Sequence, residues 1–321
     1  MRERQNPSDR ARCRTDRNKT ENERGGLLLF VLVSVLTLSV LLAGCNPDIV
    51  PSESPLPSQS SSDSSAGSDD SSSQWEVPVR SNEVYTPEDA EADASIDEKL
   101  RQAVAANEEV VGWLNLPGSG VDYAVTQTDN NDFYLKHNAA KESTKLGSIF
   151  AHYNNVLNDP YNLPRNTVLF GHNTLVAEHP MFGELEDFYD LEYAQQHQYL
   201  TLTLGGTTTY WKIFAVLDTE VGANSQQDFY YWNTFATPAS EWSPILEEAK
   251  NRSLYDYAVD VDYTDNVLTL STCSYQYRTW LGFYREDVRL VVMARLVREG
   301  ELLREETAPV LNEDRREPVF S

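Results

Sequence analysis

Val267-Leu268-Thr269-Leu270-Ser271-Thr272-Cys273 is an apolar, β-branched run that ends on the only cysteine after Cys45. Near-alternation of Val, Leu and Thr reads as a strand. A thiol at a strand end is expected to be partly exposed, where a thiolate can form and attack. The competing reading is a buried structural cysteine, because free Cys is among the most buried residue types. Position alone does not choose between them.

The chain around this strand has 321 residues, but its composition divides unevenly, and only the region from about Ser95 to Arg298 has the apolar content to build a core. One domain of ordinary size is expected. A net charge of −24 argues against a nucleic-acid partner, since binding a polyanion needs a basic face. Residues 1–24 are rich in Arg and Lys, and Leu27 to Leu42 carries no charge. A basic leader, an apolar segment over 25–45 and an acidic remainder place the N-terminus in the cytoplasm and the rest outside the cell. The apolar run lies between a signal-peptide core and a full span in length. It ends Leu42-Ala43-Gly44-Cys45, so Cys45 is a candidate for lipidation after cleavage, the alternative being an uncleaved anchor. Either way the domain is expected on the outer face of a membrane. Cys13, Cys45 and Cys273 then fall in three different settings, no disulfide is expected within the folded domain, and an unpaired extracellular thiol suggests a reactive role.

Residues 46–93 are Ser, Pro, Asp and Glu with few apolar side chains, a composition that cannot offset its ordering entropy and reads as a disordered spacer. The domain is expected over 94–298. Ser95-Ile96-Asp97-Glu98 has the form of a capping box, with Ile96, Leu100 and Val104 following at helical spacing. Val111–Leu116 and Val121–Val125 read as short strands around a turn, and Phe182, Leu185 and Phe188 as a short amphipathic helix. Tyr199–Leu204 and Thr207–Leu217 read as a hairpin on Gly205-Gly206. Pro238–Asn251 reads as a helix with Thr237 as its cap and proline in its first turn. Residues 299–321 form a charged tail expected to fray.

Thr-Leu-Ser-Thr-Cys at 269–273 resembles the TLxTC signature of sortases, transpeptidases that attach proteins to Gram-positive cell walls. Asn166-Thr167-Val168-Leu169-Phe170-Gly171-His172-Asn173 is similar to that family's histidine strand, and Val288-Arg289-Leu290-Val291-Val292 to its arginine strand. The block from Trp113 to Phe150 resembles class B members, as does a helix before the cysteine strand, and the resemblance runs from about Asn107 to Val297. It implies a mainly β fold with peripheral helices, a closed eight-stranded β-barrel carrying an N-terminal helix and a helix inserted before the cysteine strand. One departure is His152, where that class commonly has an acidic residue. Thr-Cys-Ser-Tyr differs from the Thr-Cys-Thr-Pro pattern of pilin-polymerising class C enzymes.

The resemblance assigns Cys273 as nucleophile, His172 as general acid/base and Arg289 as the group that holds substrate and stabilises oxygen charge. The chemistry suits these residue types. A thioester keeps the acyl group until an amine arrives, imidazole transfers protons near neutral pH, and a well-placed donor to a developing oxyanion is worth roughly 3–4 kcal/mol. Arg278 and Arg285 compete with Arg289 but lie in loop-like sequence. His137, His152, His179 and His197 read as surface or loop residues. Tyr275, Tyr277, Trp280, Phe283 and Tyr284 either wall a substrate groove or pack the loop. Asn131, Leu135 and Ser271 are the substrate contacts carried over by resemblance. No metal or other cofactor is expected. The implied partners are secreted proteins bearing a C-terminal sorting motif, and a peptidoglycan-precursor or pilin amine. The rivals are a cysteine peptidase in which water resolves the thioester, and a non-catalytic binding module.

Overall fold

The computed structural model describes residues 87–174, 180–221, 229–234, 238–305 and 307–320. The leader, the apolar run, most of the spacer, Cys13, Cys45, His179 and Thr237 lie outside the described residues. The first element is a helix, α1 (Pro87–Ala106), so Ser95 lies inside it and is not its cap. Pro87 opens it with a backbone already set for a helix. Ile96 and Leu100 are buried while Val104 is exposed. Lys99 pairs with Asp122, whose other oxygen accepts from Trp113 Nε1 at 2.6 Å, tying the helix to the barrel.

The strands are β1 (Val110–Asn115), β2 (Asp122–Thr126), β3 (Ile149–Ala151), β4 (Asn166–Phe170), β5 (Tyr199–Leu204), β6 (Thr207–Glu220), β7 (Tyr255–Asp256), β8 (Val267–Cys273), β9 (Val288–Leu296) and β10 (Val310–Leu311). Eight of them close into a barrel in the order β1-β2-β3-β4-β8-β9-β6-β5, as the resemblance implied. The β2–β3 and β4–β8 pairs are parallel and the rest antiparallel. β4 and β8 are buried along their whole length, which is why they read as near-continuous apolar runs rather than as strict alternation. Leu169, Leu202, Val216, Leu270 and Val292 belong to the single large core.

The hairpin at Gly205-Gly206 holds, both glycines having positive φ (+56° and +82°) as a two-residue reversal between twisted strands requires. The repeat of Phe182, Leu185 and Phe188 is every third residue because Met181–Tyr189 is a 3-10 helix, whose turn holds three residues and which sets all three rings and chains inward. It leads into α2 (Leu191–Gln196), capped by the Asp190 carboxylate. The helix before the cysteine strand is α3 (Ala239–Arg252), with Pro238 one position earlier than expected, at the cap. Its last residue, Arg252, is buried and donates to Glu248 (2.6 Å) and to Thr219 Oγ1 (3.1 Å) at the end of β6.

The C-terminal tail does not fray. Leu303 packs with Tyr199, Tyr210 and Val297, Glu305 pairs with Lys212, β10 pairs with β7, and Phe320 meets Tyr277 edge to face at 5.2 Å. Charge suggested a solvated end, but its widely spaced apolar residues and acids find partners along the barrel wall.

Candidate active site

Strand register brings the three candidate residues to one rim. β4 and β8 run parallel with Asn166 opposite Val267 and Phe170 opposite Ser271. Side groups carry that pairing past the strand ends: Thr272 Oγ1 donates to Gly171 O at 2.8 Å and Asn173 Nδ2 to Cys273 O at 2.9 Å. His172 therefore follows β4 where Cys273 ends β8. On the other side β8 and β9 are antiparallel, and Cys273 is the direct partner of Arg289. Histidine, cysteine and arginine thus come from three adjacent strands, whose axes lie about 4.8 Å apart.

His172 is seated by the loop before β3. Its Nε2 lies 2.8 Å from Leu135 O, at the end of the 3-10 turn Phe133–Leu135. A carbonyl only accepts, so Nε2 carries the proton and Nδ1 is left for proton exchange. Burial draws the imidazole pKa below its ordinary value, and the Leu135 bond opposes this. The neutral ring therefore predominates at pH 7. Gly147 makes the close approach possible: at φ +60°, a Cβ there would stand 2.5 Å from Tyr134 O and 3.1 Å from His172 Cδ2. The Leu135 carbonyl had no signal in the sequence, because backbone groups leave no residue-type signature.

Cys273 is 5% exposed, less than expected of a strand-end thiol. Its sulfur is disulfide-bonded. The expectation of a lone thiol is corrected accordingly, and nucleophilic chemistry belongs to the reduced form. Behind it, Ser274 Oγ lies 3.0 Å from Tyr189 OH, which donates to Asp218 Oδ1 at 2.7 Å. Burial raises the Asp218 pKa above the usual carboxylate value, with the bonds from Tyr189 and Ser274 opposing it. This buried group on β6 went unseen in the sequence, since a lone Asp in an apolar strand shows nothing of its partners.

The Arg289 guanidinium donates through Nη1 to Glu286 O (2.8 Å) and Val288 O (3.1 Å). Burial works against its charge, and the field of Tyr231, Asp287, Tyr275 and Glu286 supports it. Its two rivals serve the loop. Arg285 grips Asp287 through Nε and Nη2 (2.9 and 2.5 Å), and Arg278 donates to Gly282 O at 3.0 Å. Of the expected substrate contacts, Ser271 meets Tyr231 OH at 2.9 Å, Leu135 serves His172 through its carbonyl, and Asn131 Oδ1 accepts from Tyr153 N at 3.0 Å. His152 and His197 are buried rather than at the surface. His152 takes a backbone N–H from Asn154 (3.2 Å), and His197 stacks on Tyr193 at 3.9 Å. His137 stacks on Phe133 at 4.0 Å.

A closed eight-stranded barrel with Cys, His and Arg at neighbouring strand ends is the architecture of a cysteine transpeptidase. No family model matches the chain. Its sequence is 31% identical to Sortase B of Listeria monocytogenes over 216 residues, covering 67% of this chain and 81% of that protein. It is 29% identical to Sortase B of Staphylococcus aureus over 192 residues, 60% of this chain and 72% of the relative. Among solved structures, sortase B of Clostridium perfringens matches with a TM-score of 0.53 at 28% identity, covering 62% of this chain and 99% of that one. A Staphylococcus aureus sortase B–substrate complex matches at 0.52 and 26%, covering 63% and 86%. The chain belongs to the sortase B family and is a class B cysteine transpeptidase.

Proposed function

We propose that Cys273, His172 and Arg289 carry the transpeptidation, that the acyl donor is a secreted protein with a C-terminal sorting motif, and that the acceptor is a cell-wall or pilin amine. The direct pairing of Cys273 with Arg289, flanked by the in-register His172 segment, is the observation that supports this reading. In the reduced enzyme the Cys273 thiolate attacks the scissile carbonyl. Arg289 holds substrate and faces the charge that develops on the carbonyl oxygen. His172, protonated on Nδ1 while Nε2–H stays on Leu135 O, gives that proton to the departing amine. The incoming amine returns a proton to Nδ1 and attacks the thioester, which releases Cys273. The lowered His172 pKa means that the protonated ring is a minority form at neutral pH.

Asn131, Leu135 and Ser271 are the proposed substrate contacts, Ser271 lying just before Cys273 in sequence and Leu135 bonding to His172 through its carbonyl. The N-terminal apolar run is read as the tether that keeps the domain on the outer face of the membrane, with Cys45 as its alternative lipid anchor. No helix among the described residues is long and apolar enough to cross a membrane. The test incubates the reduced chain with a sorting-motif peptide, with and without an added amine, and weighs the products. The peptide–amine conjugate is expected, and is expected to vanish in His172→Ala. Hydrolysed peptide alone at every amine concentration would give the acceptor role to water, and turnover surviving in His172→Ala would remove the imidazole from the mechanism.

A further inference from the structure

The segment joining Cys273 to Arg289 is a small hairpin with an apolar tip. Arg285 N donates to Tyr277 O at 3.0 Å, Arg278 bridges Tyr284, Thr279 N donates to Phe283 O at 2.7 Å and Gly282 N to Thr279 O at 2.9 Å. Gly282, at φ +86°, makes the reversal. The stem is braced: Tyr275 meets Tyr284 edge to face at 5.3 Å, Arg278 lies over Tyr284 at 3.9 Å and Arg285 over Phe320 at 4.0 Å. The tip is different. Trp280, Leu281 and Phe283 are 91%, 61% and 69% exposed. The aromatics that sequence left open between groove wall and packing therefore divide, with Tyr275, Tyr277 and Tyr284 packed and Trp280 and Phe283 in solvent.

Burying a large apolar side chain is favourable, so a braced turn that sets three of them outward favours an occupant. Charge indicates which. Arg285 is paired with Asp287, but the turn from Arg278 to Tyr284 carries Arg278 and no acid, in a chain of net charge −24. An aromatic, acid-free tip beside Arg278 matches a bilayer interface, where Trp concentrates and cations are drawn to headgroups. The chain supplies the bilayer itself, through the uncharged run Leu27–Leu42 beyond the described residues. We propose that the hairpin tip docks on the lipid surface, seating Trp280, Leu281 and Phe283 in the interface. Since Trp280 is within about 25 Å of Cys273 along extended chain, this second contact holds the catalytic rim at the membrane. The proposal rests on the reading of the N-terminal run as a tether.

The test reconstitutes the full chain into vesicles of phosphatidylcholine and phosphatidylglycerol with brominated acyl chains, which quench tryptophan fluorescence only on contact. The wild type is expected to show a quenched component that is absent from Trp280→Phe and reduced in Leu281→Asp, which keeps the fluorophore at an exposed position. Flotation of the same samples reports the tether separately. A chain that floats with equal quenching in wild type and Trp280→Phe overturns the tip contact and leaves the tether intact, assigning the tip to a protein partner or a second copy. A chain that does not float overturns both.

Discussion

β9 carries two buried arginines at its two ends, and they are held in opposite ways. Arg295, opposite Val267, is enclosed by acids: Nη1 donates to Glu301 (2.5 Å), Nη2 to the Asp260 carboxylate (3.0 Å) and Nε to Asp260 O (2.6 Å). Arg298 extends the lattice to Asp265 at 2.7 and 2.9 Å. Burial opposes the charge of Arg295, but the Glu301 contact outweighs it and its pKa is raised. Arg289, opposite Cys273, is oriented by the carbonyls of Glu286 and Val288, and burial leaves its pKa lowered. Carboxylates answer the charge of Arg295, whereas backbone carbonyls help to orient Arg289. We propose that one end of the strand serves stability and the other the chemistry.

That contrast breaks if the two arginines respond alike to substitution. Arg289→Lys is expected to lower kcat/KM about 100- to 1,000-fold, because a point charge does not reproduce the fork of a guanidinium at the oxyanion, with the thermal midpoint little changed. Arg295→Met is expected to do the reverse, lowering stability by about 2–4 kcal/mol in urea titration as its acids lose their partner, while folded enzyme keeps its turnover. Equal losses of activity in the two would erase the distinction.

Two smaller effects sharpen it. Gly147→Ala forces positive φ on a residue with a Cβ and drives that atom at Tyr134 O, at a cost of about 1–3 kcal/mol. Its specific signature is a shifted pH dependence of kcat, since the displaced loop carries the carbonyl that fixes His172. Asp218→Asn is the mildest. The Asp218 pKa is raised above 3.8 in the fold, so its charged form costs stability at neutral pH and that cost declines as pH falls through the folded value. The variant, whose Oδ1 still accepts from Tyr189, is expected to melt slightly higher than wild type at pH 7, by a margin that shrinks toward pH 3.8 in calorimetry.

Residue type and local period made barrel strands and the Gly205-Gly206 turn legible, while the Cys, His and Arg positions were picked out by resemblance to sortase motifs. All three candidates sit in or beside apolar runs whose pattern survives in a one-dimensional reading. What stayed hidden depends on chain closure. Leu135 O reaches His172, Asn173 reaches the Cys273 carbonyl and Asp218 reaches Tyr189 only after distant strands pair. The start of α1 was misplaced because Ser95 looks like a cap, although the helix already begins at Pro87. The tail was misjudged from its charge, which its partners on the barrel absorb.

The central claim is that the reduced Cys273 sulfur carries the acyl group. Intact-mass measurement of the reduced full chain, quenched in acid after mixing with a sorting-motif peptide in the absence of amine, tests it most directly. The account predicts an increment equal to the acyl fragment, mapped by proteolysis to the peptide containing Cys273 and removed by hydroxylamine. An adduct on another residue, or one that persists in Cys273→Ala, would contradict it.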